Sequence, residues 1–290
     1  MHTQHYSDIT NAFIAVPRTA DRLRKAAIAS LLTFATAAAS ADDGACRGLP
    51  NHAALKKALD AAVLAEASGL NNHMWASLVS RDGTVCAVAF SGNDVGTQWP
   101  GSRVISAQKA NTANTFSLGA GSASNGSGQA KGLALSTANL YSAVQPGGSL
   151  YGLQHSNPVD TAVAYGGRPQ LFGTNNDPMV GKRVGGVNVF GGGVPLYAEG
   201  GKLVGGVGVS GDTSCADHNI GWRVRSQLAL DFVATVPGPA SLFARDAAHP
   251  DNIIFDIERS EIDGTGRSTS GFGHPTCLNT YGSNTLPAVR

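Results

Sequence analysis

Apolar positions along the chain alternate between helical and strand-like spacing. Leu55, Leu59, Ala62 and Val63 recur at three- and four-residue intervals, with Lys56, Lys57, Asp60 and Glu66 between them. That pattern predicts an amphipathic helix, with Pro50 at its start and Gly69 past its end. Met74–Ser80 and Thr84–Phe90 read as strands, and Arg81-Asp82-Gly83 between them is a hairpin signal. The second strand has no polar face, which predicts a central strand covered on both sides. Ser102–Leu118 follows Pro100-Gly101 as a helix, and Leu133–Val144 reads as another, ended by Pro146-Gly147-Gly148. Residues 146–186 show no period and form a long glycine-, proline- and asparagine-rich loop. Val187–Phe190, Val194–Ala198 and Leu203–Val209 are three short strands separated by glycine clusters, and Cys215–Phe232 is a last helix capped by Asp212 or Thr213. Beyond Pro237 the chain reads as an extended tail with one edge strand at Ile253–Phe255. Strands joined by tight turns are antiparallel. The order therefore predicts an α+β domain, a five-stranded antiparallel sheet with helices packed on its faces.

Composition sharpens this picture. The 290 residues are 42% hydrophobic and 14% charged, which opposes a disordered chain. Glycine, at 37 residues, is nearly twice its usual share of roughly 7% but has no three-residue period, so the chain is not collagenous. Twelve glycines fall within residues 181–211, at the turns and corners of the three short strands. A net charge of +1 opposes a dedicated nucleic-acid binder.

The N-terminal 41 residues read as an address. Arg18, Arg22, Arg24 and Lys25 precede an apolar run, Ala26–Ala39, and Ala39-Ser40-Ala41 supplies a small-x-small cleavage site. At 14 residues the run is too short to span a bilayer as a helix. The polar stretch before it is long for a signal sequence, which points to a true start near Val16. Cleavage after Ala41 leaves 17 basic and 18 acidic residues, a net charge of −1. All four cysteines, Cys46, Cys86, Cys215 and Cys277, lie beyond that site, and an even number in an exported chain points to disulfides. Three connectivities are open. Cys46–Cys86 with Cys215–Cys277 is favoured, because the second bond would pin the tail to the domain. No C-x-x-C-H motif for covalent haem attachment is present.

Three segments together carry a resemblance: Lys109-Ala110-Asn111-Thr112-Ala113-x-x-Phe116, then Gly192-Gly193-Val194-Pro195-Leu196, then Val204-Gly205-Gly206-Val207-Gly208-Val209-Ser210-Gly211 with Asp217 following. They resemble the haem-binding, haem-degrading domain family over roughly residues 49–236. The resemblance implies a profilin-like five-stranded antiparallel sheet, haem as cofactor, and assembly into homo-oligomers. The loops at 119–128 and 146–186, the cysteines and the 237–290 extension depart from the family pattern.

Several side chains are candidates for chemistry. Ser210 does not fit the strand-to-helix G-x-S-x-G elbow, because the glycine after it is misplaced. The glycine block lacks a phosphate-binding G-x-x-x-x-G-K-[ST] motif. Its plain reading is a corner where chains pack closely. Lys109 and Thr112, one turn apart, present a cation and a hydroxyl to one helix face, and the resemblance makes them candidates for holding a propionate or other carboxylate. His155, in the long loop with Tyr151 and Tyr165, is the candidate axial ligand, since imidazole and tyrosinate both ligate haem iron. Leu150, Leu153 and Leu171 are candidates to line the macrocycle. If Cys215 bonds Cys277, His218 and His274 approach one another with Asp217 nearby, and these three become a candidate metal site. The sequence thus predicts an exported, secreted or periplasmic, haem-binding protein for haem sensing, storage or slow degradation. A non-haem small-molecule enzyme or accessory protein is one rival, and a structural or assembly module on the same fold is another.

Overall fold

The structure is a computed structural model, and it describes residues 44–122, 131–259, 266–280 and 285–290. These belong to the compact unit Ser40–Arg290. The proposed signal sequence, the start near Val16 and part of the 119–128 loop lie outside the described residues. No helix among the described residues is long and apolar enough to cross a membrane.

Helix α1 (His52–Leu64) begins where Asn51 Oδ1 accepts from the Ala54 N–H, and it buries Leu55, Ala58, Leu59 and Ala62. Strands β1 (Trp75–Ser80) and β2 (Val85–Phe90) form the expected hairpin. In its turn, Asp82 Oδ1 accepts from the Thr84 N–H, and Gly83 takes a φ of +89°. Helix α2 (Ser102–Phe116) follows, then single turns of 3₁₀ helix and the short α3 (Thr161–Ala164). Strands β3 (Gly193–Ala198) and β4 (Lys202–Ser210) lead into α4 (Ser214–Gln227), capped by Thr213 as expected. The tail adds α5 (Pro239–Phe243) and the small hairpin of β5 (Ile257–Arg259) with β6 (Gly266–Ser268).

The main sheet is antiparallel and four-stranded, in the order β2-β1-β4-β3. Alternation along β1 assigns its two faces. Ala76 and Leu78 join the core under α1 and α4, while Trp75 and Val79 join the core under α2. All six β1 residues are buried because helices cover both faces.

Four sequence expectations are corrected. The sheet has four strands because Val187–Phe190 does not pair with a strand; its backbone is taken by α2, where Thr112 Oγ1 accepts from the Asn188 N–H. At the outer edge of β3, where a fifth strand would lie, Tyr197 and Asp231 make a single parallel bridge. Strand β2 is an edge strand, although covered: Val85 donates to the Lys182 carbonyl and accepts from the Gly181 N–H. The segment 133–144 is not one helix: Leu133 bridges Leu118, and only 137–140 and 142–144 form 3₁₀ turns, where Ser136 and Asn139 cap each other and Thr137 bonds across to Phe190 and Gly193. Finally, Ile253–Phe255 is coil, with Ile253 and Ile254 buried and Phe255 exposed, and the tail's strands lie at 257–259 and 266–268.

The glycine block is explained by close approach of α2 to the sheet. A Cβ on Gly208 would sit 2.0 Å from the Ser106 carbonyl oxygen, and one on Gly206 would sit 2.2 Å from that of Ala110. On β3, a Cβ at Gly193 would lie 2.4 Å from the Lys109 carbonyl oxygen. These three glycines form a floor on which the helix backbone rests directly.

Candidate functional site

Because α2 rides so low, Lys109 points through the gap between the sheet and the 187–192 segment. Its ammonium donates to Asp217 Oδ2 at 2.6 Å and to the Val209 carbonyl at 3.1 Å, and it lies 4.4 Å from the centroid of the Phe190 ring. Asp217, in the first turn of α4, also accepts the Asp212 N–H at 2.9 Å. Asp212 in turn receives the N–H groups of Leu70 and Asn72 and so holds the loop before β1. Both Lys109 and Asp217 are wholly buried. Burial pushes the Asp217 carboxyl up to about 6 against the downward pull of Lys109, and it pushes the Lys109 ammonium down against Asp217.

Beside this pair lie two buried histidines. Neither ring nitrogen of His218 has a well-aligned hydrogen-bond partner, and burial, with Arg225 and His274 adding to it, lowers its pKa to about 3. His274 donates from Nδ1 to the Pro275 carbonyl at 2.7 Å and accepts the Gly191 N–H at Nε2 across 3.4 Å; burial lowers its pKa to about 4. Both rings are therefore neutral at pH 7. The C-terminal segment seals this region. Arg225 makes a two-pronged ion pair with Asp251 at 2.6 and 3.0 Å, and the Cys215–Cys277 disulfide ties α4 to the tail. A second disulfide, Cys46–Cys86, fastens the start of the unit to β2.

The structure separates the sequence candidates into two groups. Lys109 and Thr112 do share a face of α2, but that face is interior. Lys109 is already paired, and the Thr112 hydroxyl donates to the Gln108 carbonyl and accepts from Asn188. A ligand carboxylate would have to displace Asp217 to reach the ammonium. The Asp217, His218 and His274 set does not converge, because both Asp217 oxygens are bound by Lys109 and Asp212. The donor atoms that do converge, within 4.8 Å of one another, belong to Cys215, His274 and Cys277. Ser210 is buried at the end of β4.

His155, Tyr151 and Tyr165 form the second group. All three are exposed, the tyrosines by about two-thirds, and none makes a side-chain hydrogen bond among the described residues. Leu153 packs on the buried Leu135, Leu140 and Val189, whereas Leu150 is exposed. Four surface cavities of about 390 to 610 Å³ are lined by other residues. Sequence reasoning missed Arg225–Asp251 and the cap that Asn139 donates to the Asn252 carbonyl, since nothing local signals contacts across 26 and 113 residues.

The fold and the buried cluster define an α+β domain whose sheet is braced by a lysine–aspartate pair. Residues 51–223 match the family model of the haem degrading protein HbpS-like family, and the chain belongs to that family. Among solved structures, Klebsiella pneumoniae protein ORFY is similar at 26% identity and a TM-score of 0.38, over 62% of this chain and 90% of that one. A PduOC:heme complex is similar at 22% and 0.38, over 60% and 89%. HbpS is similar at 19% and 0.36, over 61% and 88%. No curated protein matches the chain.

Proposed function

We propose that this is an exported haem-binding protein that holds its ligand at the 146–186 loop, with His155 as axial ligand and Tyr151 or Tyr165 as the alternative. The observation that carries this reading is family membership across residues 51–223, a family described as haem degrading. The donor chemistry fits: an exposed imidazole and two exposed phenols are all competent for haem iron. Bound haem would supply a redox-active iron at this loop. The residues of this chain would ligate it and present leucine side chains to the ring. The donors lie on the surface of the chain, open to an incoming haem. Export is supported by the two disulfides, which persist in oxidising compartments.

A structural or assembly module on the same fold is the second reading. It is favoured by the sealing of Lys109 and Thr112, which leaves the most polar part of the core inaccessible to any ligand. Titration with haem, followed in the Soret region for the wild-type chain and for His155→Ala, separates the two.

A further inference from the structure

The Cys215–Cys277 disulfide sits where a metal site would be built. Cys215 lies in the first turn of the 14-residue helix α4, a position that favours a thiolate. Cys277 Sγ receives the Cys215 N–H at 3.2 Å and lies 3.3 Å from the Ser214 hydroxyl, so negative charge on that sulfur is also accommodated. His274 supplies the third donor. Its Nδ1–H is fixed on the Pro275 carbonyl, which sets the tautomer and leaves Nε2 with its lone pair turned inward, held only by a 3.4 Å contact. A carbonyl that orients a ligating imidazole in this way is the usual outer-shell arrangement of zinc sites. His274 and Cys215 are buried, whereas Cys277 is partly exposed, which makes it the more accessible half of the bond for an incoming thiol.

We propose that this disulfide is a redox-gated metal site, which after two-electron reduction binds a soft divalent cation of the zinc class through Cys215 Sγ, Cys277 Sγ and His274 Nε2. The reductant is a thiol or dithiol. It attacks Cys277 Sγ, the S–S bond breaks, Cys215 leaves as a thiolate, and a second thiol equivalent resolves the mixed disulfide while the reductant is oxidised to its own disulfide. The cation then takes both sulfurs as thiolates, and any thiol protons pass to solvent. Three protein donors leave a fourth position for water. The disulfide and the metal exclude one another, yet each joins the tail to α4, so tail docking survives the exchange.

The test uses the full chain carrying Cys46→Ser and Cys86→Ser, so that only this pair can respond. After anaerobic reduction with a phosphine, Co²⁺ is titrated and then displaced by Zn²⁺. The expected result is one Co²⁺ per chain, with thiolate-to-cobalt charge-transfer bands and tetrahedral d–d absorption. The oxidised protein should show neither, and His274→Ala should bind at least about tenfold more weakly. Circular dichroism checks that each variant is folded. His274→Gln in the oxidised state provides a fold control with the disulfide in place. Absence of the cobalt spectrum in folded reduced protein would overturn the proposal. So would equal binding by His274→Ala, or equal binding by the oxidised chain.

Discussion

Lys109 Nζ donates to Asp217 Oδ2 across 2.6 Å, with neither side chain reached by solvent. The pair joins α2 to the first turn of α4 across the end of β4. Losing one partner strands a buried charge, which typically costs about 3–5 kcal/mol. Asp217→Ala and Lys109→Met should each destabilise by that amount in denaturant unfolding. The double variant Lys109→Met/Asp217→Leu should recover most of the loss, because the desolvation cost disappears with both charges. Single-variant losses below about 1 kcal/mol would contradict a structural role for the pair.

Stability should fall as the pH drops from about 6 to 4. The unfolded histidines take up protons near 6.5, while in the folded protein His274 and His218 resist protonation until about 4 and about 3. Arg225 and Lys109 face His218 and oppose its charging as burial does. Asp217 has the opposite sign, because its folded pKa of about 6 exceeds the ordinary 3.8, so below 6 the folded state holds its extra proton. Two histidines against one carboxyl leave about one net proton taken up on unfolding, a slope of ~1.4 kcal/mol per pH unit. His218→Gln should flatten this slope. A pH-independent unfolding midpoint across that window would contradict the uptake of one net proton on unfolding.

Gly208→Ala should disrupt packing more than the same change at Gly181 or Gly147. Its new methyl would collide with the backbone of α2 at Ser106 and Ala110, and backbone cannot rotate aside. Overpacking a tight core costs about 1–3 kcal/mol, occasionally more, and a clash with helix backbone belongs at the upper end. Gly181→Ala and Gly147→Ala meet open space at the new Cβ, though both carry a positive φ, and should lose only about 1 kcal/mol. Thermal unfolding of the three variants side by side tests this order.

Much of this architecture was legible in local spacing, and the failures have physical causes. The α1 stripe, the Asp82-Gly83 hairpin, β3, β4 and the Thr213 cap all follow from short-range patterns. Val187–Phe190 has a strand's apolar alternation, but Thr112 and Asn111 of α2 take up backbone groups along 186–188, and no sequence rule anticipates that competition. Leu133–Val144 has helical spacing, but Ser136, Thr137 and Asn139 place their side chains on backbone groups, which favours tight turns over a continuous helix. Lys109 and Thr112 share a face as expected; the direction of that face was set by glycines on other strands. His218 and His274 were expected near Asp217, but that carboxylate is taken by Lys109 and the Asp212 N–H.

On the proposed function, haem binds through the exposed loop and not through the buried cluster. Haem titration of the chain, with Soret absorption read for wild type, His155→Ala, Tyr151→Phe, Tyr165→Phe and Lys109→Met, decides between the two sites. The expected result is saturable binding with a shifted Soret band that His155→Ala weakens at least about tenfold. The shift should persist in folded Lys109→Met. An unshifted spectrum in the wild-type chain would rule out haem binding at the loop, as would binding lost in Lys109→Met but unaffected by all three loop variants.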